Sequence, residues 1–281
     1  MRNDRELRTA TRPRPRSVAD VLDALQASGR YTFRNEELCT ATGASPLAVE
    51  AALRRLSKKQ RVVTPRRGFH VIVPLEYRSA GTPPAAWFID DLMLFLEQPY
   101  YVALLSAAAL HGASHHSPQE FQVMTDRPIR PIELARLRIR FFKNGSLQDA
   151  PTASIKTETG SMLVSTPEGT ALDLVRYASS VGHLDNVATV VSELGEKLSE
   201  KGLVDAARKA SERSTVQRLG YLLDLVGVDE ITGALAKWVA KKAPRVARLR
   251  RDRPVRGLPI NRRWRLVVND KVEAEAWPAY R

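Results

Sequence analysis

Along the first eighty residues the apolar positions change their period several times, and each change marks an element. Val18, Val21, Leu22 and Leu25 recur at helical spacing. Ser17 precedes them as an N-cap with Asp20 in the first turn, and Gly29 closes the run. Tyr31-Thr32-Phe33 predicts a short extended link. A second helix is expected from Asn35 as cap through Leu38 to Thr42, with Gly43 at its stop. Ser45-Pro46 opens a third helix running to Gln60, since Ser is a good cap and Pro suits the first helical position. Val49, Ala52, Leu53 and Leu56 form its apolar side, while Leu47, Ala51, Arg54, Arg55 and Lys58 fall on or near the opposite one. Residues 61–64 and 69–73 are β-rich and are joined by Pro65-Arg66-Arg67-Gly68, a hairpin with a doubly basic tip. Helix, short strand, helix, tight turn, helix, hairpin is the order of a winged helix-turn-helix.

Residues 76–85, with Gly81, Pro83 and Pro84, predict a linker. An apolar-rich helix is expected over 86–97. The almost continuously apolar run over 100–110 predicts one buried helix, ended by Gly112. Strands are expected at 121–125 and 138–142, with further candidates at 155–157 and 162–164. Thr166-Pro167-Glu168 caps a helix carrying Ala171, Leu172, Leu174 and Val175, and helices over 184–198, 203–211, 216–225 and 231–241 follow. A last strand candidate covers 264–268. The fold class expected is α+β: an N-terminal winged helix-turn-helix, then a larger mixed α+β domain with C-terminal helices. The divisions expected are a flexible basic arm at 1–16, a DNA-binding domain at 17–80, and a larger domain at 86–281 whose tail from 244 is basic.

Charge sharpens this picture. The 281 residues carry 44 Lys+Arg against 31 Asp+Glu, a formal charge of +13. Residues 1–80 hold 16 basic and 8 acidic side chains, 81–240 hold 15 and 19, and 241–281 hold 13 and 4. The excess therefore sits at the two ends, the footprint of a polyanion partner. In a winged helix the third helix enters the major groove and the hairpin tip reaches the DNA backbone or minor groove. That geometry singles out Arg54, Arg55 and Lys58, with Leu47 and Ala51 on the same face, Arg66 and Arg67 on the wing, and Ser45 near a phosphate at the helix start. Arg12, Arg14 and Arg16 of the arm add sequence-independent attraction to double-stranded DNA. Trp238, Trp264 and Trp277 lie among the arginines of the tail, an arrangement that suits either a nucleic-acid surface or a protein interface.

Other chemistries find little support. One cysteine, Cys39, excludes a disulfide framework and a Cys-rich zinc site, and beside Leu38 it fits a small core residue. His111, His115 and His116 cluster, but Gly112 interrupts them, which fits a helix end rather than a metal site. No Walker-type loop or Gly-x-Ser-x-Gly elbow is present. Asp149, Lys156 and Glu158 come nearest to a nuclease set, at a spacing that matches no metal-binding pattern. No catalytic residue, metal or cofactor is expected. The apolar run is too short to cross a bilayer, and the N-terminus lacks the apolar core of a signal peptide, so a cytoplasmic protein is expected.

Several segments together resemble one family. They are the winged helix, the stretch Tyr101-Val102-Ala103-Leu104-Leu105-Ser106-Ala107-Ala108-Ala109-Leu110-His111-Gly112, the strands Phe121-Gln122-Val123-Met124-Thr125 and Ile139-Arg140-Phe141-Phe142, and Ser165-Thr166-Pro167-Glu168-Gly169-Thr170-Ala171-Leu172-Asp173-Leu174. In this order and spacing they are similar to the AbiEi antitoxins of type IV abortive-infection toxin–antitoxin systems. The resemblance implies a non-enzymatic transcriptional autorepressor whose winged helix binds inverted repeats upstream of its own operon. It implies that residues 86–281 form an AbiEi-like C-terminal antitoxin domain. That domain would counter a nucleotidyltransferase-like toxin without a stable complex. The alternative is a protein-interaction module gripping a partner protein, with DNA binding secondary.

Overall fold

Ser17 begins the first helix with both halves of a capping box. Its hydroxyl accepts the Asp20 amide at 3.2 Å, and the Asp20 carboxylate accepts the Ser17 amide at 2.9 Å. In the computed structural model, which describes residues 16–113 and 119–274, the chain forms two compact units, 1–83 and 84–281.

The first unit runs α1 (Val18–Ala27), β1 (Thr32–Arg34), α2 (Asn35–Thr42), α3 (Pro46–Lys58), β2 (Val62–Arg66) and β3 (Phe69–Ile72). Its three strands are antiparallel in the order β1-β3-β2. The turn from α2 to α3 passes through Gly43 at φ +67, a left-handed conformation that a side chain would strain. Ser45 then caps α3, accepting the Ala48 amide at 3.3 Å, with Pro46 at the first helical position. Val18, Val21, Leu22, Phe33, Leu38, Val49, Leu53, Leu56, Val62 and Ile72 make the core, with Cys39 packed at its edge. The sheet register shifts between Val63 and Arg66, where Pro65 brings no amide to the ladder.

The second unit is mixed α+β. Helix α4 (Ile89–Phe95) precedes a six-stranded sheet made of β4 (Tyr100–Val102), β5 (Phe121–Thr125), β6 (Ile132–Leu134), β7 (Leu137–Lys143), β8 (Thr152–Lys156) and β9 (Ser161–Ser165). Its order is β6-β7-β5-β4-β9-β8, with β4–β9 and β5–β7 parallel and the other pairs antiparallel. Helix α5 (Leu104–Leu110) interrupts the strands. After them come α6 (Pro167–Arg176), α7 (His183–Leu194), α8 (Glu200–Lys209), α9 (Arg213–Leu225) and α10 (Gly233–Lys242). A small sheet closes the unit: β10 (Ala247–Arg248), β11 (Ile260–Asn261) and β12 (Leu266–Val267), in the order β10-β12-β11.

One expected element is corrected. The apolar run 100–110 is not a single helix: β4 and α5 divide it at Ala103, and Leu104 takes φ +54 at the break. β4 lies between β5 and β9 inside the sheet, so all three of its residues are buried and the run lacks the alternation that would reveal a strand. The helix expected over 86–97 is also shorter, a 3-10 turn at Ala85–Trp87 followed by α4.

Candidate functional site

On α3 the residues named from sequence share one exposed surface. Leu47 is 76% exposed, and Ala51, Arg54, Arg55 and Lys58 are exposed beside it, while Val49, Leu53 and Leu56 face the core. Arg54 meets Glu50 at 3.7 Å in an exposed pair one helical turn back, worth little in stability. Ser45 is exposed, but its hydroxyl is engaged by the Ala48 amide. On the hairpin, Arg67 is exposed at the tip and Arg66 is half-buried at the end of β2. Arg16 is exposed; Arg12 and Arg14 lie outside the described residues.

His70 of β3 fastens the hairpin to α2. Its buried ring stacks on Phe33 with centroids 5.2 Å apart. Nε2 donates to Asn35 Oδ1 at 2.7 Å and Nδ1 lies 2.9 Å from the Thr64 hydroxyl, which donates to it when the imidazole is neutral. Burial pulls its pKa down to about 4. A lowered folded pKa means that the stabilisation is complete above the unfolded value of 6.5 and is lost as pH falls towards 4. The first unit should therefore weaken by roughly 2–3 kcal/mol across that window. An NMR titration of the His70 ring in the full chain checks this, and titration near 6.5 would contradict the buried neutral ring.

In the second unit the segment 165–174 builds the centre of the domain. Thr166 caps α6 by accepting the Gly169 amide at 3.2 Å. Glu168 accepts the Ser199 amide and hydroxyl at 3.1 and 2.9 Å, tying α6 to the start of α8. The Thr170 and Ser165 hydroxyls lie 2.6 Å apart. Asp173 is buried and accepts the Tyr101 hydroxyl at 3.0 Å; Asn144 donates to that tyrosine oxygen at 2.9 Å and accepts from Arg176 at 3.1 Å. A cavity of about 50 Å³ opens on this chain, with room for roughly three waters, and Thr215 lines it with a hydroxyl that has no partner.

Burial drives the Asp173 pKa up to about 7, against the pull of Tyr101 and Arg176. A raised folded pKa means that stability is greatest below the unfolded value of 3.8 and is lost as pH rises through 7. Asp173→Asn keeps an acceptor for Tyr101 and removes the buried charge. It should stabilise the protein by about 1–4 kcal/mol at pH 8, with the gain vanishing towards pH 4. Urea midpoints of both forms at the two pH values check this; an equal difference at both would refute it.

The basic tail is folded into the domain. Trp264 is fully buried and its indole donates to Asp224 at 2.6 Å. Gln217 of α9 holds the carbonyls of Arg245, Trp264 and Arg265 at 3.1, 3.1 and 2.8 Å. Trp264 is thus not a surface for stacking bases, because packing against α9 covers its ring. Trp238 is half-buried against the same core, and Trp277 lies outside the described residues. Many tail arginines are paired: Arg250 with Asp252 and Asp270, Arg251 with Glu212, Arg253 with Asp270, Arg263 with Asp224.

The remaining candidates are scattered. His111 donates to the Ser165 carbonyl at 2.7 Å, and His115 and His116 lie outside the described residues. Asp149, Lys156 and Glu158 are exposed, and among the described residues no three metal-ligating side chains converge. No helix there is long and apolar enough to cross a membrane. Sequence reasoning missed Asp173, Tyr101, Asn144 and Arg176 as a unit. The available signal was Asp173 itself, a carboxylate set between Leu172 and Leu174 on an apolar helix.

The sheet and the helices that follow it, with the Thr166-capped α6 among them, are similar to the AbiEi antitoxin C-terminal domain, whose family model matches residues 101–225. The match covers the sheet and helices from β4 through α9, less than half of the chain. The chain is also similar to the crystal structure of the RV2827C protein from Mycobacterium tuberculosis. The TM-score is 0.63 at 16% identity, over 89% of this chain and 90% of that one. That likeness is one of fold. No curated protein matches the chain.

Proposed function

We propose that the first unit is a winged helix-turn-helix that represses the operon of this antitoxin, while the second unit counters a nucleotidyltransferase-like toxin of a type IV system. The observation that carries the reading is the exposed face of α3. Leu47, Ala51, Arg54, Arg55 and Lys58 stand on one side of a helix whose other side is fixed in the core. Such a helix fits the major groove, with arginines reaching guanine edges or phosphates and an apolar side chain meeting a thymine methyl. Arg66 and Arg67 of the hairpin, Ser45 at the start of α3, and Arg12, Arg14 and Arg16 of the arm then lie along the DNA backbone. One such module covers a short half-site, so two copies occupy the inverted repeats.

The test is a titration of the full chain onto its own upstream DNA and onto scrambled DNA of equal length at several salt concentrations. Upstream DNA bound about 10³-fold more tightly or better supports repression. Equal affinities that collapse together as salt rises would reduce the charge to an electrostatic anchor. For the division of labour, residues 81–281 should rescue growth against the toxin without repressing. Failure of rescue by a fragment shown to be folded would count against it.

A further inference from the structure

Arg218 stands in the middle of α9 and is only 7% exposed. Its Nε donates to the carbonyls of Arg248 and Leu249 at 2.8 and 3.1 Å, and Nη1 reaches the Ser214 hydroxyl at 3.4 Å. No carboxylate among the described residues stands within ion-pair distance of it. Burial pulls its pKa down to about 10, Arg251 adds to this by like-charge repulsion and Glu212 opposes it, and the group stays charged at neutral pH. Arg176, at the end of α6, is half-buried. Its guanidinium meets the Asn144 side-chain oxygen and lies 5.8 Å from the Tyr177 ring centre, with no carboxylate in ion-pair contact.

These two line one cleft of about 430 Å³ with Arg250, Arg251, His183 and Asp252, a volume within the usual range for small-ligand sites. Arg250 and Arg251 have counter-ions: Asp252 and Asp270 at 2.9 and 3.4 Å for the first, Glu212 for the second. Two of the four guanidinium groups thus have a carboxylate in direct ion-pair contact and two do not, Asp173 and Glu212 acting on Arg176 and Arg218 only from beyond that distance. Holding the buried Arg218 guanidinium without a directly paired anion is costly, and that group faces this cleft. The start of α7, a 12-residue helix, also lines the cleft through His183 and Leu184 and adds a partial positive charge.

We propose that this cleft binds a phosphate group, either free or as a monoester. A phosphate monoester carries about 1.5 to 2 negative charges near neutral pH, which suits two guanidinium groups that lack a directly paired carboxylate. Its oxygens also suit the donor fork of arginine. The site uses no residue of the α3 face, so its failure and that of the DNA-binding reading are separate results.

The experiment is isothermal titration of the full chain with inorganic phosphate and with adenosine monophosphate, in chloride buffer at constant ionic strength. Wild type is compared with Arg176→Gln and Arg218→Lys, each checked for folding by circular dichroism. Saturable binding to one site is expected, weakened at least tenfold in both variants. Arg218→Lys retains the charge but loses the fork; if it fails to fold, Arg176→Gln carries the comparison. Monophosphate tighter than inorganic phosphate by tenfold assigns the ester as ligand, and equal affinity assigns the free anion. The proposal falls if neither ligand saturates a site, or if binding survives unchanged in the folded variants. It also falls if phosphate only raises the melting temperature without a plateau, as surface exclusion does.

Discussion

Replacing Trp264 by alanine is expected to destabilise the second unit by about 3–5 kcal/mol, the range for removing a fully buried aromatic side chain. Domains are stable by only about 5–15 kcal/mol, so this change removes much of what holds the unit folded. The indole fills the core and donates to Asp224, while Arg263 covers its ring with 5.5 Å to the centroid. Its six-membered ring lies against Gly220 of α9, where an added Cβ would come within 2.1 Å of it. No side chain larger than hydrogen fits there, so Gly220→Ala should destabilise the unit too, from the opposite side of the same contact. Calorimetry of the full chain should show a melting transition lowered by about 6–20 °C for Trp264→Ala, at roughly 2–4 °C per kcal/mol. Rescue from the toxin should be lost with it. Trp264 lies outside the 101–225 match to the antitoxin domain, so an unshifted transition would mean that the tail is dispensable to the fold.

The double change Arg54→Ala with Arg55→Ala should leave folding intact and remove operator recognition. Arg54 is 79% exposed and its ion pair with Glu50 is worth a few tenths of a kcal/mol, so the melting temperature should hardly move. If each arginine reads a base, the loss is about 1–3 kcal/mol apiece, or roughly 1.5 to 4 powers of ten in affinity for both. Scrambled DNA should lose far less. Arg67→Ala, at the hairpin tip, should instead weaken binding to every sequence and reduce the salt slope by about one. Measured on the upstream DNA, a double variant that binds as tightly as wild type would remove α3 from the recognition surface.

Much of the local structure was legible before any coordinates. The Ser17 and Ser45 caps, the two faces of α3, the strands around Phe121–Thr125 and Leu137–Lys143, and the Thr166 start of α6 all follow from periodicity and capping chemistry. These are short-range properties, set by residues within one or two turns of each other. A further strand, β6, escaped because three residues turning back through Ala135 at φ +50 give no period to recognise.

What the sequence determined by itself, then, is which side of each element is buried, and that the charge collects at the two ends of the chain. Which partner each buried side meets was decided only by the tertiary structure. The run 100–110 is apolar throughout, and only its place between β5 and β9 makes the first part a strand. Asp173 and Tyr101 are 72 positions apart, and Trp264 and Asp224 are 40 apart. The tail's arginines gave a surplus of charge in sequence, but folding the tail onto α9 neutralises several of them and leaves Arg176 and Arg218 facing one cleft. Hydrophobic spacing records how much of a residue leaves water, whereas hydrogen bonds and ion pairs depend on which groups the folded chain brings together.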